Sequence, residues 1–175
     1  PMKNAESLAR PFRVSDGRKF RLKDIDPGDT GGLESKERAE DVMKIAGIVF
    51  GADFVRDNPV LVSITNCNSP LVWDATMIDA MRVYARHNQP LILAPFALCG
   101  ASTSASSVGA VAQVNAEALA GVAFTQLIRP GSPQLYGQFM VTVDMKTGAP
   151  MGGTPEAAQM MYLMGALARK YNLPW

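Results

Sequence analysis

Histidine occurs once in these 175 residues, at His87, and cysteine twice, at Cys67 and Cys99. One imidazole leaves little room for Ser-His-Asp chemistry. His87 closes a helical stretch just before a strand, the end of an α/β unit that serves stability rather than catalysis. Two cysteines without metal-ligand spacing are too few for zinc and form no disulfide framework. Small buried thiols in a reducing cytoplasm are expected, although neighbouring loops would let the two approach each other. Neither GxGxxG nor GxxxxGK[ST] is present, and the glycines from Gly148 to Gly153 match neither phosphate-binding fingerprint. Charged residues make up 19% with a net charge of +1, so neither nucleic acid nor an anionic membrane is expected as partner. No apolar run reaches the length of a bilayer-spanning helix, and the opening residues do not read as a signal peptide.

What is present is apolar residue, 47% of the chain, enough for one domain with a core or for part of a larger one. Residues 1–32 stand apart. Lys3, Arg10, Arg13, Arg18, Lys19, Arg21 and Lys23 crowd there among Asp16, Asp24, Asp26 and Asp29. Both a basic docking arm and a solvated extension fit this polar N-terminal segment, and the acids that dilute the bases favour the extension. Around Phe20 and Leu22 the alternation reads as a short strand after an Asp16-Gly17 turn.

From 35 to 50 the pattern is helical. Ala39, Val42, Met43, Ala46, Val49 and Phe50 recur on one face, Ser35 can cap, Glu40–Lys44 is a favourable pair, and Gly51 ends the helix. Three strand-helix units follow. Residues 60–65 and 91–96 read as β-branched or aliphatic strands buried on both faces, as in parallel sheets, and a third strand starts near Leu135. The helices run from about 74 to 86, with Met77, Ile78, Met81, Tyr84 and Ala85 inward, and from 108 to 127. The latter turns Val111, Asn115, Leu119 and Val122 to one side and Gln113 and Glu117 to the other. The last helix starts at Thr154-Pro155-Glu156, a cap, a first-turn proline and an acid at the positive helix end.

Between Pro90 and Gly153 the only charges are Glu117, Arg129, Asp144 and Lys146, so cover on both sides of the sheet is expected. Strands alternating with helices, and no hairpin between them, indicate an α/β fold. The roughly 30-residue spacing of the units fits a (βα)₈ barrel as well as an open sheet. Three units cannot close a barrel, and bare edges call for more chain or a partner, a homo-oligomer being one form of it. The chain is therefore expected to be a fragment.

Sites in parallel α/β folds form at the C-terminal strand ends. Those positions hold Asn66, Cys67, Asn68 and Ser69, then Phe96, Cys99 and Ser102, then Tyr136, Gln138, Phe139 and Asp144. The set is rich in amides, hydroxyls and aromatics and poor in acids and bases. Aromatic faces suit a quaternary ammonium, which has no N–H to donate, although strand aromatics also serve as plain core. Asn66, Asn68, Phe96, Tyr136, Gln138 and Phe139 are the candidate substrate-binding residues. No catalytic residue is assigned and no metal site is expected.

Several blocks carry a resemblance. Pro59-Val60-Leu61-Val62-Ser63 leads into Asn66-Cys67-Asn68-Ser69-Pro70-Leu71. Tyr84-Ala85-Arg86 precedes Asn88-Gln89-Pro90, and Asn115-Ala116-Glu117-Ala118-Leu119-Ala120-Gly121 is followed by Gln126-Leu127 and Pro130-Gly131. Tyr136-Gly137, Asp144-Met145, Gly148-Ala149-Pro150 and Gly153-Thr154-Pro155-Glu156 complete the run. From Leu33 to Trp175 the chain resembles the middle section of the trimethylamine:corrinoid methyltransferase family.

The resemblance implies that residues 33–175 are part of a (βα)₈ TIM barrel, about three consecutive βα units plus a preceding helix. It implies a cytoplasmic enzyme of one-carbon metabolism. Such an enzyme moves a methyl group from trimethylamine, or from a quaternary amine such as glycine betaine, to the cobalt of a corrinoid (cobalamin) carried by a partner protein. No S-adenosylmethionine is implied. Some members carry pyrrolysine; all residues here are ordinary, which favours quaternary amines. A non-catalytic amine-binding module and a truncated remnant are the alternatives.

Overall fold

The computed structural model describes residues 36–175 and, ahead of them, two short strands, β1 (Phe12–Arg13) and β2 (Lys19–Phe20), paired antiparallel with Phe12 opposite Phe20. The strand expected around Phe20 is thus present. Leu22, the Asp16-Gly17 turn and the Ser35 cap lie outside the described residues.

Helix α1 (Lys36–Phe50) buries Ala39, Met43 and Ala46 as its spacing predicts. Val49 and Phe50, expected on that face, are exposed. The chain turns at Gly51 (φ 94°) into a short helix the sequence did not announce, α2 (Ala52–Asp57), which adds Val55 to the same core. Lys44 pairs with Asp41 at 2.8 Å rather than with Glu40, and Glu40 faces Lys36 at 4.0 Å. Neighbours three and four apart on a helix are equally close, so register alone does not choose the partner.

Strand β3 (Ser63–Thr65) leads to α3 (Ala75–Arg86), capped by Asp74, whose carboxylate accepts the Met77 N–H. Next come β4 (Leu91–Leu93), β5 (Phe96–Cys99) and the long helix α4 (Ser107–Ile128). The order ends with β6 (Gln134–Tyr136), β7 (Phe139–Val143), β8 (Pro150–Met151) and α5 (Pro155–Tyr171). Thr154 caps α5 by accepting the Ala157 N–H at 3.2 Å, Pro155 starts it, and Glu156 lies in its first turn.

The strands β3, β4 and β6 lie side by side in that order, all parallel. The single strand expected over 91–96 is two, because Pro95 has no N–H for the ladder. Pairing resumes beyond it, β5 beside β7 and parallel. Four backbone bonds carry the ladder across the interruption: Ala94 N–H to Thr65, Phe96 N–H to Cys67, Gly137 N–H to Leu93 and Phe139 N–H to Pro95, at 2.9–3.3 Å. No hairpin is expected between the strands and helices, yet one lies between the third strand and the last helix, with β8 antiparallel to β7 around a turn that Asp144 closes by accepting from Lys146 N–H and Thr147 Oγ1. The alternation of strand and helix concealed it because β8 has two residues and no pattern of its own.

The helices cover one face of this sheet. Leu91, Leu93 and Tyr136 are buried against α3, α4 and α5, and Ala97, Cys99 and Met140 continue that side. Among the described residues nothing covers the opposite face. Ile64, 51% exposed, lies in register with Ile92 and Leu135 there. Apolar residues on both faces were read correctly as a pattern; the second cover is simply not supplied by the described residues.

By length and composition α4 could cross a bilayer, contrary to the sequence reading. Within the fold it packs on α3, α5 and the strands and buries Ala110, Val111, Val114 and Ala118 there, while Val108 and Leu127 stay exposed. Glu117, expected on its outer side with Gln113, is buried at 2% exposure. The structure is a mixed α/β arrangement of parallel sheet and helices.

Candidate functional site

Side chains alternate across a strand, so the register sorts the candidate residues into two sets. On the open face, moving toward the C-terminal strand ends, the Ile64–Ile92–Leu135 row is followed by Asn66, Ala94 and Gly137, then by Asn68, Phe96 and Phe139. A Cβ on Gly137 would sit 2.8 Å from Ile92 Cγ2 and 3.1 Å from Ala94 Cβ. Glycine there is what lets these rows close up. Asn66, Asn68, Phe96 and Phe139 thus share one face. Tyr136 and Gln138 alternate to the other.

Phe96 and Phe139 are register partners whose rings stack at 5.2 Å between centroids with 24° between planes. They are 39% and 53% exposed, unusual for stacked strand aromatics with no polar atom. Asn68 is in bridge register with Phe96. Its Nδ2 donates to Asp74 Oδ2 at 2.7 Å, which leaves its Oδ1 available as an acceptor. Asn66 Oδ1 is buried without a hydrogen-bond partner.

Tyr136 is fully buried, and its hydroxyl donates to Asn115 Oδ1 at 2.6 Å. Burial pushes its phenol pKa up, with Tyr171 adding to the shift. The Asn115 side chain on the apolar face of α4 therefore ties that helix to β6. Gln138 turns its Oε1 back to accept the Met140 N–H at 2.6 Å, holding the bend between β6 and β7.

Asn68 begins a tight loop. Its N–H donates to the Val72 carbonyl and Val72 N–H returns the bond, closing residues 69–71 into a tip. That tip inserts against α4, where Glu117 accepts from Ser69 Oγ at 2.6 Å and Leu71 N–H at 2.8 Å, with Gln113 Nε2 at 3.0 Å. Sequence reasoning missed this residue. Its signal was that Glu117 is the only charge between Pro90 and Arg129.

The two thiols do not meet. Cys67 Sγ donates to the Val72 carbonyl and Cys99 Sγ to the Ser104 carbonyl, both at 3.2 Å. Burial, with Glu117 nearby, pushes the Cys67 thiol up to about 12, and burial raises Cys99 as well. Neither is poised as a nucleophile. His87 caps the far end of α3, its pKa lowered by burial and by Arg129. It lines a cleft of about 1120 Å³ with Lys44, Arg56, Arg86 and Arg129, which contains none of the candidate residues. Among the described residues no group of three or more His, Cys, Asp or Glu could hold a metal.

A model of the trimethylamine methyltransferase family (MTTB) matches residues 19–175, starting upstream of the resemblance found from Leu33. A glycine betaine methyltransferase of Desulfitobacterium hafniense is 37% identical over 96% of this chain and 36% of its own length. A proline betaine:corrinoid methyltransferase of Eubacterium limosum is 33% identical over 82% of this chain and 29% of its own. A trimethylamine methyltransferase of Methanosarcina mazei is 29% identical over 79% and 28%. The chain thus spans about a third of the length of these relatives.

Proposed function

The chain belongs to the trimethylamine methyltransferase family, and from that premise we propose that it forms part of a barrel that transfers a methyl group from a quaternary amine to a corrinoid. The observation that carries this reading is the open face of the sheet. It is aliphatic at one end, where the closed interior of a (βα)₈ barrel would cover Ile64, Ile92 and Leu135. At the C-terminal strand ends it carries the exposed Phe96–Phe139 stack with Asn66 and Asn68 beside it.

The chemistry of that end suits a cation without donors. Aromatic faces attract a quaternary ammonium. Asp74 engages one N–H of the Asn68 amide, which leaves the Asn68 oxygen available as an acceptor. Asp74 and Glu117 stand behind the loop, and no ion pair with a described residue neutralises either one. Negative charge behind an aromatic pair draws the cationic ammonium end of a donor.

Methyl transfer needs little more from these residues. When a quaternary amine gives up a methyl group, the bonding pair stays on nitrogen and a neutral tertiary amine leaves, so no proton has to move at that atom. A site poor in acids and bases suffices; the residues orient the donor and exclude water. The acceptor is the cobalt of a corrinoid on a partner protein, which supplies the nucleophile. The betaine specificities of two of the relatives favour a betaine over trimethylamine as the donor.

The test uses the full protein that contains this chain, mixed with a reduced corrinoid protein and each of glycine betaine, proline betaine and trimethylamine. The visible spectrum should report methylation of the corrinoid with a betaine. Binding without methyl transfer would leave an amine-binding module, and no response to any of the three would sink the proposal.

A further inference from the structure

Building on that reading, we propose that Glu117 is a positioning residue: it clamps the 69–71 tip and so sets Asn68 against the Phe96–Phe139 stack without touching the ligand. Two of the three donors to its carboxylate come from this tip, the Ser69 hydroxyl and the Leu71 N–H, both more than forty positions upstream in the chain. The third, Gln113, is one helical turn away on α4. A buried carboxylate is costly unless its oxygens are hydrogen-bonded. Here the loop supplies most of that compensation, so the carboxylate and the loop hold each other.

The tip itself is not a conformation the chain falls into. Leu71 has φ 59°, a left-handed value for a branched aliphatic residue, and it is this residue's N–H that points at Glu117. Trp73 Nε1 donates to the Glu117 backbone carbonyl at 3.3 Å, so the loop is fastened to both ends of one residue. At the base of the tip the Asn68–Val72 bonds transmit that placement to Asn68, and Phe96 N–H to Cys67 carries it to the aromatic strand. Glu117 stands on the helix of the second unit and the loop follows the strand of the first. The clamp therefore also fixes the two units to each other at the end where the candidate site lies.

The experiment compares the full protein as wild type, Glu117→Gln, Ser69→Ala and the double variant. Amide hydrogen exchange at Asn68 and Leu71 is read beside the calorimetric affinity for tetramethylammonium and glycine betaine. Glu117→Gln should speed Leu71 exchange by about tenfold or more while α5 stays protected, and weaken amine affinity by about tenfold. The double variant should be little worse than Glu117→Gln alone, since both act through one loop. Unchanged exchange in a folded Glu117→Gln protein overturns the clamp. Faster exchange with unchanged amine affinity overturns the positioning role. Fully additive losses do the same. Should Glu117→Gln fail to fold, Ser69→Ala, which removes one donor, carries the same comparison. A wild-type protein that binds neither amine refutes the functional reading, and the exchange rates still decide the clamp.

Discussion

Asp74 divides its carboxylate between two partners: Oδ1 accepts the Met77 N–H and caps α3, while Oδ2 accepts from Asn68 Nδ2 at 2.7 Å. One residue thereby starts a helix and orients a candidate ligand amide. Asn caps a helix about as well as Asp, so the two roles can be separated. Asp74→Asn should hold the thermal midpoint within a few degrees, because the cap is kept within a few tenths of a kcal/mol. The new Nδ2 faces Asn68, whose amide must turn its oxygen inward. Calorimetry should then show weaker binding of a quaternary amine, and equal binding would disprove the orienting role.

The Phe96–Phe139 stack is half exposed, so little stability depends on it. Phe139→Ala should unfold within roughly 1 kcal/mol of wild type in urea. Loss of one aromatic face should weaken tetramethylammonium binding by about 2- to 30-fold, the span of roughly 0.5–2 kcal/mol for cation–π contacts. Phe139→Leu should behave like Phe139→Ala, whereas Phe139→Tyr should bind nearly as wild type. A leucine that restores binding would show that contact area, not the ring, matters.

Tyr136→Phe removes one buried hydroxyl and leaves Asn115 Oδ1 without its donor. An unsatisfied buried group costs about 1–3 kcal/mol. The urea midpoint should fall accordingly with the m-value unchanged, and any loss of amine binding should disappear at saturating amine.

Gly137→Ala forces a methyl into the space between Ile92, Ala94 and the Leu93 carbonyl, where the nearest atom would lie at 2.8 Å. Overpacking of this kind costs about 1–3 kcal/mol. A variant as stable as wild type would mean that the strands can spread at this row.

Cys67 makes a pH prediction whose sign is fixed by burial. Its thiol is held up at about 12 against an ordinary value of 9.0. Between these values the unfolded chain ionises the thiol and the folded chain does not. Stability from this group is therefore complete below pH 9 and is lost as pH rises toward 12. Alkylation with iodoacetamide at pH 8 should be far slower in the folded protein than after unfolding. Rapid labelling of the native protein at Cys67 would contradict the buried, hydrogen-bonded placement.

Local elements were legible because their causes are local. Thr154-Pro155-Glu156 announced α5, and the spacing of Met77, Met81, Tyr84 and Ala85 announced α3. The strand ends that bring Asn68, Phe96 and Phe139 onto one face were legible as well, since each strand is a short apolar run. What failed were judgements that need a neighbour. Helical spacing put Glu117 outside, since nothing in α4 reveals that a loop some fifty residues upstream will supply its donors. Strand alternation alone does not tell which side of the bend Tyr136 and Gln138 take; the register does.

By itself the sequence determined the order of strands and helices, the caps that start them, the family, and an inventory of amides and aromatics at strand ends. These follow from interactions over a few residues, or from motifs that survive as strings. The tertiary structure alone decided which face each strand residue occupies, that the described helices lie on one side of the sheet, and that a buried carboxylate fastens the Asn68 loop. The reason is physical: burial and hydrogen-bond satisfaction are properties of pairs brought together across the fold, and neither partner carries them alone.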